Sequence, residues 1–261
     1  MTDVGPIGRL GRFMAQHFAL VATAWVVVAV GLGVFAPKVE HALSGAGWEA
    51  TGSESVKARE LIDRNFNGLG SYGLMVVVHS QEAKVGDPRF ASSLTKVEGI
   101  LRSSDAVTTV VPPRPGLTIS EDGHTAVVQA GAANNANDMV RAADDLKGEL
   151  AGAGGQGVQV SLTGAPGMWS DFNEANKTSM MKSELISWPV TLGILVLAFG
   201  SLVAAGLPLM LTIIGLVAAA GSLYLGAQVM DISIWAMNFA LMFALALGID
   251  YALFIVYRFR G

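Results

Sequence analysis

From Leu185 to Met230 the chain carries no charged residue. A helix that crosses a hydrocarbon core of ~30 Å needs ~20 apolar residues. A run of this length therefore predicts two membrane helices joined by a tight turn. Phe199-Gly200-Ser201 and Gly206-Leu207-Pro208 mark that turn, because glycine and proline punctuate helices. Span two is read over 185–203 and span three over 206–229. A short wet connection containing Asp231 follows, and span four covers 232–257.

A further apolar segment, 14–36, lies near the start and has no charge. Arg9 and Arg12 precede it, and Pro37-Lys38 follow it. It is longer than the ~7–15 residues of a signal-peptide core, and the small-residue site before Pro37 is a poor one for cleavage. It reads as span one, an uncleaved anchor. Short cytoplasmic ends carry Lys and Arg, whereas long translocated domains escape that rule. Arg9 and Arg12 thus place residues 1–13 in the cytoplasm. Four crossings return residues 258–261 to the same side, where Arg258 and Arg260 agree. Residues 37–184 are then extracytoplasmic, and the chain is a multi-pass protein of the cell membrane. The net charge of −4 has no basic stripe, so nucleic acid is not an expected partner. With no cysteine, neither a disulfide framework nor a thiolate metal site can form.

The long middle segment holds most of the charges and reads as an α+β unit. Ser53 caps an entry helix over 53–66. Leu74-Met75-Val76-Val77-Val78 is a β-branched run typical of a buried strand. Phe90, Leu94, Val97 and Leu101 share one face of a helix over 88–103, and Val107 to Val111 is a second strand. The order repeats with a strand at 125–130, a helix at 136–150 and a strand at 158–162. Two strand–helix–strand units predict a ferredoxin-like (split βαβ) sandwich. Gly152 to Gly157 is a glycine-rich turn that opens no helix, so a phosphate-binding loop is not supported. His79 and His124 lack an acidic partner at ligand spacing and read as surface histidines. Met168, Trp169 and Phe172, just before span two, either line the membrane interface or meet a hydrophobic ligand.

Span four contains a carboxylate, Asp250. Arg258 is eight residues further on, ~12 Å along a helix, so Asp250 lies well inside the hydrocarbon. An ionised group there costs at least ~3 kcal/mol on insertion scales. Apolar surroundings favour the neutral acid, which brings protonation within reach of a working pH. Ala236, Ala240, Ala244, Gly248 and Ala252 form a small-residue stripe on which another helix can pack closely. Tyr251 falls near that stripe, and Asp250 is expected beside the contact. No second carboxylate and no Lys or Arg lies inside a span; Glu184 stands at the edge of span two.

Phe199-Gly200-Ser201-Leu202-Val203-Ala204-Ala205-Gly206-Leu207-Pro208 and Gly248-Ile249-Asp250-Tyr251-Ala252-Leu253-Phe254, continuing to Arg260, resemble the MMPL family of the resistance–nodulation–division superfamily. The resemblance implies a proton-driven exporter of lipids or other hydrophobic molecules, with no cofactor beyond the coupling proton. It makes 37–184 a porter domain. It also implies that Asp250 and Tyr251 belong to a proton relay completed by a second Asp-Tyr pair in another repeat. On that reading the chain is the N-terminal half of a transporter, either a fragment or a split-gene product, and needs the second half or a partner chain.

Two other classes compete. An intramembrane aspartyl protease needs two facing carboxyls, one acid and one base, and the spans hold one. A membrane-anchored scaffold or sensor would use the outer domain to bind a partner or ligand and the spans only to hold it. Movement of a hydrophobic substrate under a proton gradient separates the transporter from the scaffold.

Overall fold

A computed structural model describes residues 5–46, 52–66, 69–70, 72–132 and 134–260. Residues 1–4 of the expected cytoplasmic start, residues 47–51 of the middle segment and Gly261 lie outside the described residues. The chain divides into a helical unit, Met1–Ser44 with Met180–Gly261, and a sheet unit, Gly45–Ser179.

The helical unit begins with α1 (Pro6–Gln16), a break at His17, and α2 (Phe18–Gly33). A 3-10 turn over Ala36–Lys38 leads into the short α3 (Val39–Ala42). The break differs from the single span expected over 14–36. His17 has φ −114° and ψ 38°, outside the helical basin, so the charged start and the apolar span are separate helices.

Later in the chain come α7 (Gly164–Phe199), α8 (Leu202–Ala227) and α9 (Trp235–Arg260), after the sheet unit's α4–α6 given below. Residues 164–184, expected in the outer segment, are continuous with the apolar part of α7. A helix of 36 residues is ~54 Å long, more than a ~30 Å core can take, which accommodates the charges at its start. Gly200 ends α7 in the left-handed region (φ +65°), and its N–H donates to the Val196 carbonyl. Ser201 then caps α8 by accepting from the Ala204 N–H. Pro208, expected as part of the turn, lies inside α8 and is fully buried. Membrane helices tolerate such prolines because neighbours satisfy the freed backbone groups.

Among the described residues, three helical segments are long and apolar enough to cross a membrane: Phe18–Lys38, Gly164–Phe199 and Leu202–Ala227. A shorter apolar stretch, Trp235–Tyr251, lies in α9.

Glycine sets the closest helix crossing. A Cβ built on Gly221 of α8 would stand 2.1 Å from the Leu32 carbonyl oxygen of α2, and one on Gly33 would stand 3.1 Å from Val217 Cγ1. Past the crossing, Phe35 stacks on Tyr224 with ring centroids 5.4 Å apart. Val39, Leu43 and Ala220 form a small buried cluster there. The chain leaving α3 bonds to the α8–α9 connection: the Ser44 N–H donates to the Ile232 carbonyl, and the Ile234 N–H donates to the Ser44 carbonyl.

In the sheet unit, Ser53 caps α4 (Glu54–Asn65) by accepting from the Val56 N–H. There follow β1 (Leu74–Ser80), α5 (Pro88–Ser103), β2 (Thr109–Val111), β3 (Thr125–Gly131), α6 (Ala136–Gly152) and β4 (Val158–Thr163). The strands form one sheet in the order β2-β3-β1-β4, with every neighbouring pair antiparallel. Each strand–helix–strand unit therefore skips over one strand of the other. One face of the sheet presents Leu74, Val76 and Val78 of β1 and Ala126, Val128 and Ala130 of β3. Phe90, Val97 and Leu101 of α5 and Met139, Ala143 and Leu150 of α6 complete this core. Residues on the opposite face of β1 and β3 are at least partly exposed up to Gln129, as the period of two dictates, while Gly131 at the end of β3 is buried.

An ionic cluster ties α6 to the first turns of α7. Lys147 Nζ donates to Ser170 Oγ (3.2 Å) and to Glu174, and stands 3.5 Å from Asp144 Oδ1 and 3.7 Å from Asp171 Oδ1. The hydrogen bond from Lys147 holds the Glu174 carboxyl below the usual carboxylate range. A carboxyl with a depressed folded pKa contributes stability above its unfolded pKa and loses it as the pH falls through the folded value. The melting-temperature difference between wild type and Lys147→Met is thus expected to be largest at about pH 6 and to shrink towards about pH 3. A difference independent of pH would remove the cluster from the stability of this unit.

Candidate functional site

The site builds outward from α9. Gly248 faces α8, and a Cβ there would stand 2.6 Å from Thr212 Oγ1. Thr212 is buried, and its hydroxyl donates to the Pro208 carbonyl at 2.9 Å, so it is held in place. Ile249 packs on Leu195 and Phe199 of α7 and Ala205 and Leu209 of α8. One turn and more towards the N-terminus, Leu241 is buried as well. These contacts fix how α9 is rotated about its axis.

Asp250 follows Leu241 by nine residues. At ~100° per residue this places it ~180° from Leu241, ~160° from Gly248 and ~100° from Ile249, on the side of the helix turned away from that packing. It is exposed, and among the described residues it makes no hydrogen bond or ion pair. Phe239, Phe243 and Phe254 share its side of the helix and are exposed too. Tyr251 is 66% exposed and lies on the flank of that side. Gly248 of the small-residue stripe meets α8 at Thr212, and Asp250 lies ~160° around the helix from that contact rather than beside it. The carboxylate therefore stands in an apolar strip that is exposed among the described residues.

The other candidate residues have local roles. His79 Nδ1 lies 3.0 Å from Thr125 Oγ1, and His124 Nδ1 lies 2.9 Å from the Ser80 carbonyl oxygen. Among the described residues no three potential metal ligands converge. Residues 154–157 make a tight turn closed by a Gly155–Val158 bridge. Trp169 and Phe172 meet edge to face in the first turns of α7, and Met168 beside them is exposed. A cleft of about 100 Å³ opens in the sheet unit between Leu69, Gly73, Gln129 and Gly164. Its volume is well below the several hundred Å³ of a ligand pocket. Thr212 was not among the sequence candidates. It lies on a different helix from Asp250, and no spacing within one segment reveals a partner on another.

A sequence model of the MMPL family matches residues 47–261. A membrane protein of Streptomyces coelicolor is 34% identical over 81% of this chain and 30% of its own length. Membrane protein YdfJ of Bacillus subtilis is 29% identical over 96% of this chain and 34% of its own. The mycolic acid-containing lipids exporter MmpL11 of Mycolicibacterium smegmatis is 27% identical over 90% of this chain and 26% of its own. The chain spans about a third or less of the length of these relatives. With the family's match running from near the start of the sheet unit through α9 and its Asp250-Tyr251 pair, the chain belongs to the MMPL family of membrane proteins.

Proposed function

We propose that this chain forms one half of a proton-motive-force-driven exporter of lipids or other hydrophobic molecules, with Asp250 and Tyr251 in its proton relay. On this reading α9 is a fourth membrane span. The sheet unit is an extracytoplasmic porter domain of the ferredoxin-like kind, a reading supported by its strand order and its two crossovers. Both ends of the chain face the cytoplasm, in keeping with Arg9 and Arg12.

The observation that carries the proposal is the position of Asp250. A carboxylate within an apolar helix is costly, so its presence indicates a use. The packing of α9 directs it away from α7 and α8, towards whatever surface covers the opposite side. There it can take a proton from one side of the membrane and release it to the other, with the Tyr251 hydroxyl on the flank to orient or pass it. Each elementary charge moved through 100 mV is worth ~2.3 kcal/mol, enough to bias a conformational equilibrium of a few kcal/mol. The relative from Mycolicibacterium smegmatis named as an exporter of mycolic acid-containing lipids supports a lipid substrate.

The test uses the chain together with the second half that completes the transporter, reconstituted in vesicles with a fluorescent lipid and an imposed pH gradient. Lipid movement is expected to require the gradient and to stop when a proton ionophore collapses it. Equal movement with and without the gradient would refute proton coupling, and no movement in either case would leave the scaffold reading in its place.

A further inference from the structure

We infer that α1 lies flat in the membrane interface and docks on anionic phospholipid headgroups. The sequence alone makes it amphipathic. At ~100° per residue, Arg9, Arg12 and Gln16 fall within a ~60° arc, Ile7, Leu10 and Met14 fall within another, and the two arcs are ~160° apart. No acidic residue lies in the helix. The structure adds three facts. All of α1 is unburied, and Ile7 is 86% exposed. The helix is not the first turns of the span, because the backbone leaves the helical basin at His17. And α2, a segment long and apolar enough to cross the membrane, begins at the next residue, Phe18.

Together these identify the occupant of the exposed apolar face. With no linker between α1 and the span, α1 stays within a few ångströms of the level at which α2 enters the hydrocarbon. At that level an apolar face meets acyl chains and a basic face meets headgroups, which is the setting for an interfacial helix. Two arginines on one face of a helix whose own sequence contains no acid favour phosphate-bearing anionic lipids over zwitterionic ones. The inference does not depend on which leaflet holds α1, so it stands or falls separately from the transport reading.

Because the protein has no cysteine, single nitroxide labels can be placed directly on the full chain. Ile7→Cys, Met14→Cys, Gly5→Cys and Gln16→Cys sample the two faces at both ends of α1. In vesicles of phosphatidylcholine with phosphatidylglycerol, Ile7→Cys and Met14→Cys are expected at one lipid depth, and Gly5→Cys and Gln16→Cys in water. An upright helix would instead bury Met14→Cys and Gln16→Cys and leave Ile7→Cys and Gly5→Cys shallow, which would overturn the inference. Amide exchange across 6–16 is expected to slow when phosphatidylglycerol is added, by roughly fivefold per arginine. The double variant Arg9→Gln/Arg12→Gln is expected to lose that dependence while keeping the flat orientation. Equal exchange in wild type with and without phosphatidylglycerol would overturn the role of anionic headgroups.

Discussion

Asp250→Asn is expected to abolish gradient-driven lipid movement while leaving the protein in the membrane at its normal level. The amide has nearly the shape of the carboxyl but takes up and releases no proton at working pH. Insertion is not expected to suffer, because the substitution removes a group whose ionised form costs at least ~3 kcal/mol in the hydrocarbon. Packing is not expected to suffer either, because Asp250 is turned away from the packing of Gly248, Ile249 and Leu241. Asp250→Glu keeps a titratable group in the same strip and is expected to retain part of the activity. Tyr251→Phe, which removes only the hydroxyl, is expected to fall between the two. The comparison is made in vesicles at matched protein content, and normal transport by Asp250→Asn would remove this residue from any relay.

The second large effect is on folding. Gly221→Leu is expected to prevent α2 from seating on α8. Even a Cβ at this position would stand 2.1 Å from the Leu32 carbonyl oxygen and 2.7 Å from its carbon. Backbone cannot swing aside as a flexible side chain can, so the two helices must separate. Overpacking of a tight core costs ~1–3 kcal/mol and occasionally more, and the branched side chain belongs at the upper end. Gly215 of the same helix supplies the control, since a Cβ there meets nothing within 4 Å. Gly215→Ala is expected to be neutral or stabilising by up to about 1 kcal/mol, because alanine is the better helix former. Thermal unfolding in detergent measures both. Equal melting of the Gly221 and Gly215 variants would mean that the α2–α8 crossing contributes little to stability.

The periodicities in the sequence carried the sheet unit well. Phe90, Val97 and Leu101 recur on one face of α5 and fill the core as that spacing implies. The β-branched run at Leu74–Val78 forms a strand between two others. Several features were hidden for specific reasons. The break at His17 was masked because Arg9 and Arg12 read as flanks of a span, although Ile7, Leu10 and Met14 already had helical spacing. The polar start of α7 reads as part of the outer segment because its helical state is supported by contacts from α6, such as Lys147 to Glu174, that no local pattern records. For Asp250, the helical period indicates which residues share a face, but not which face meets the neighbouring helices. Thr212 opposite Gly248 decides that, and it moves Asp250 from beside the contact to the far side.

The pairing of Ser44 with Ile232 and Ile234 has a consequence for how the protein is made. Its two strands of backbone lie near opposite ends of the chain. During synthesis the first of them emerges with α3, while the second appears only after the whole sheet unit, α7 and α8 have left the ribosome. The joint cannot exist in any shorter nascent chain. It can close only once the α8–α9 connection has been made, and by closing it joins the segment after α2 to the segment before α9.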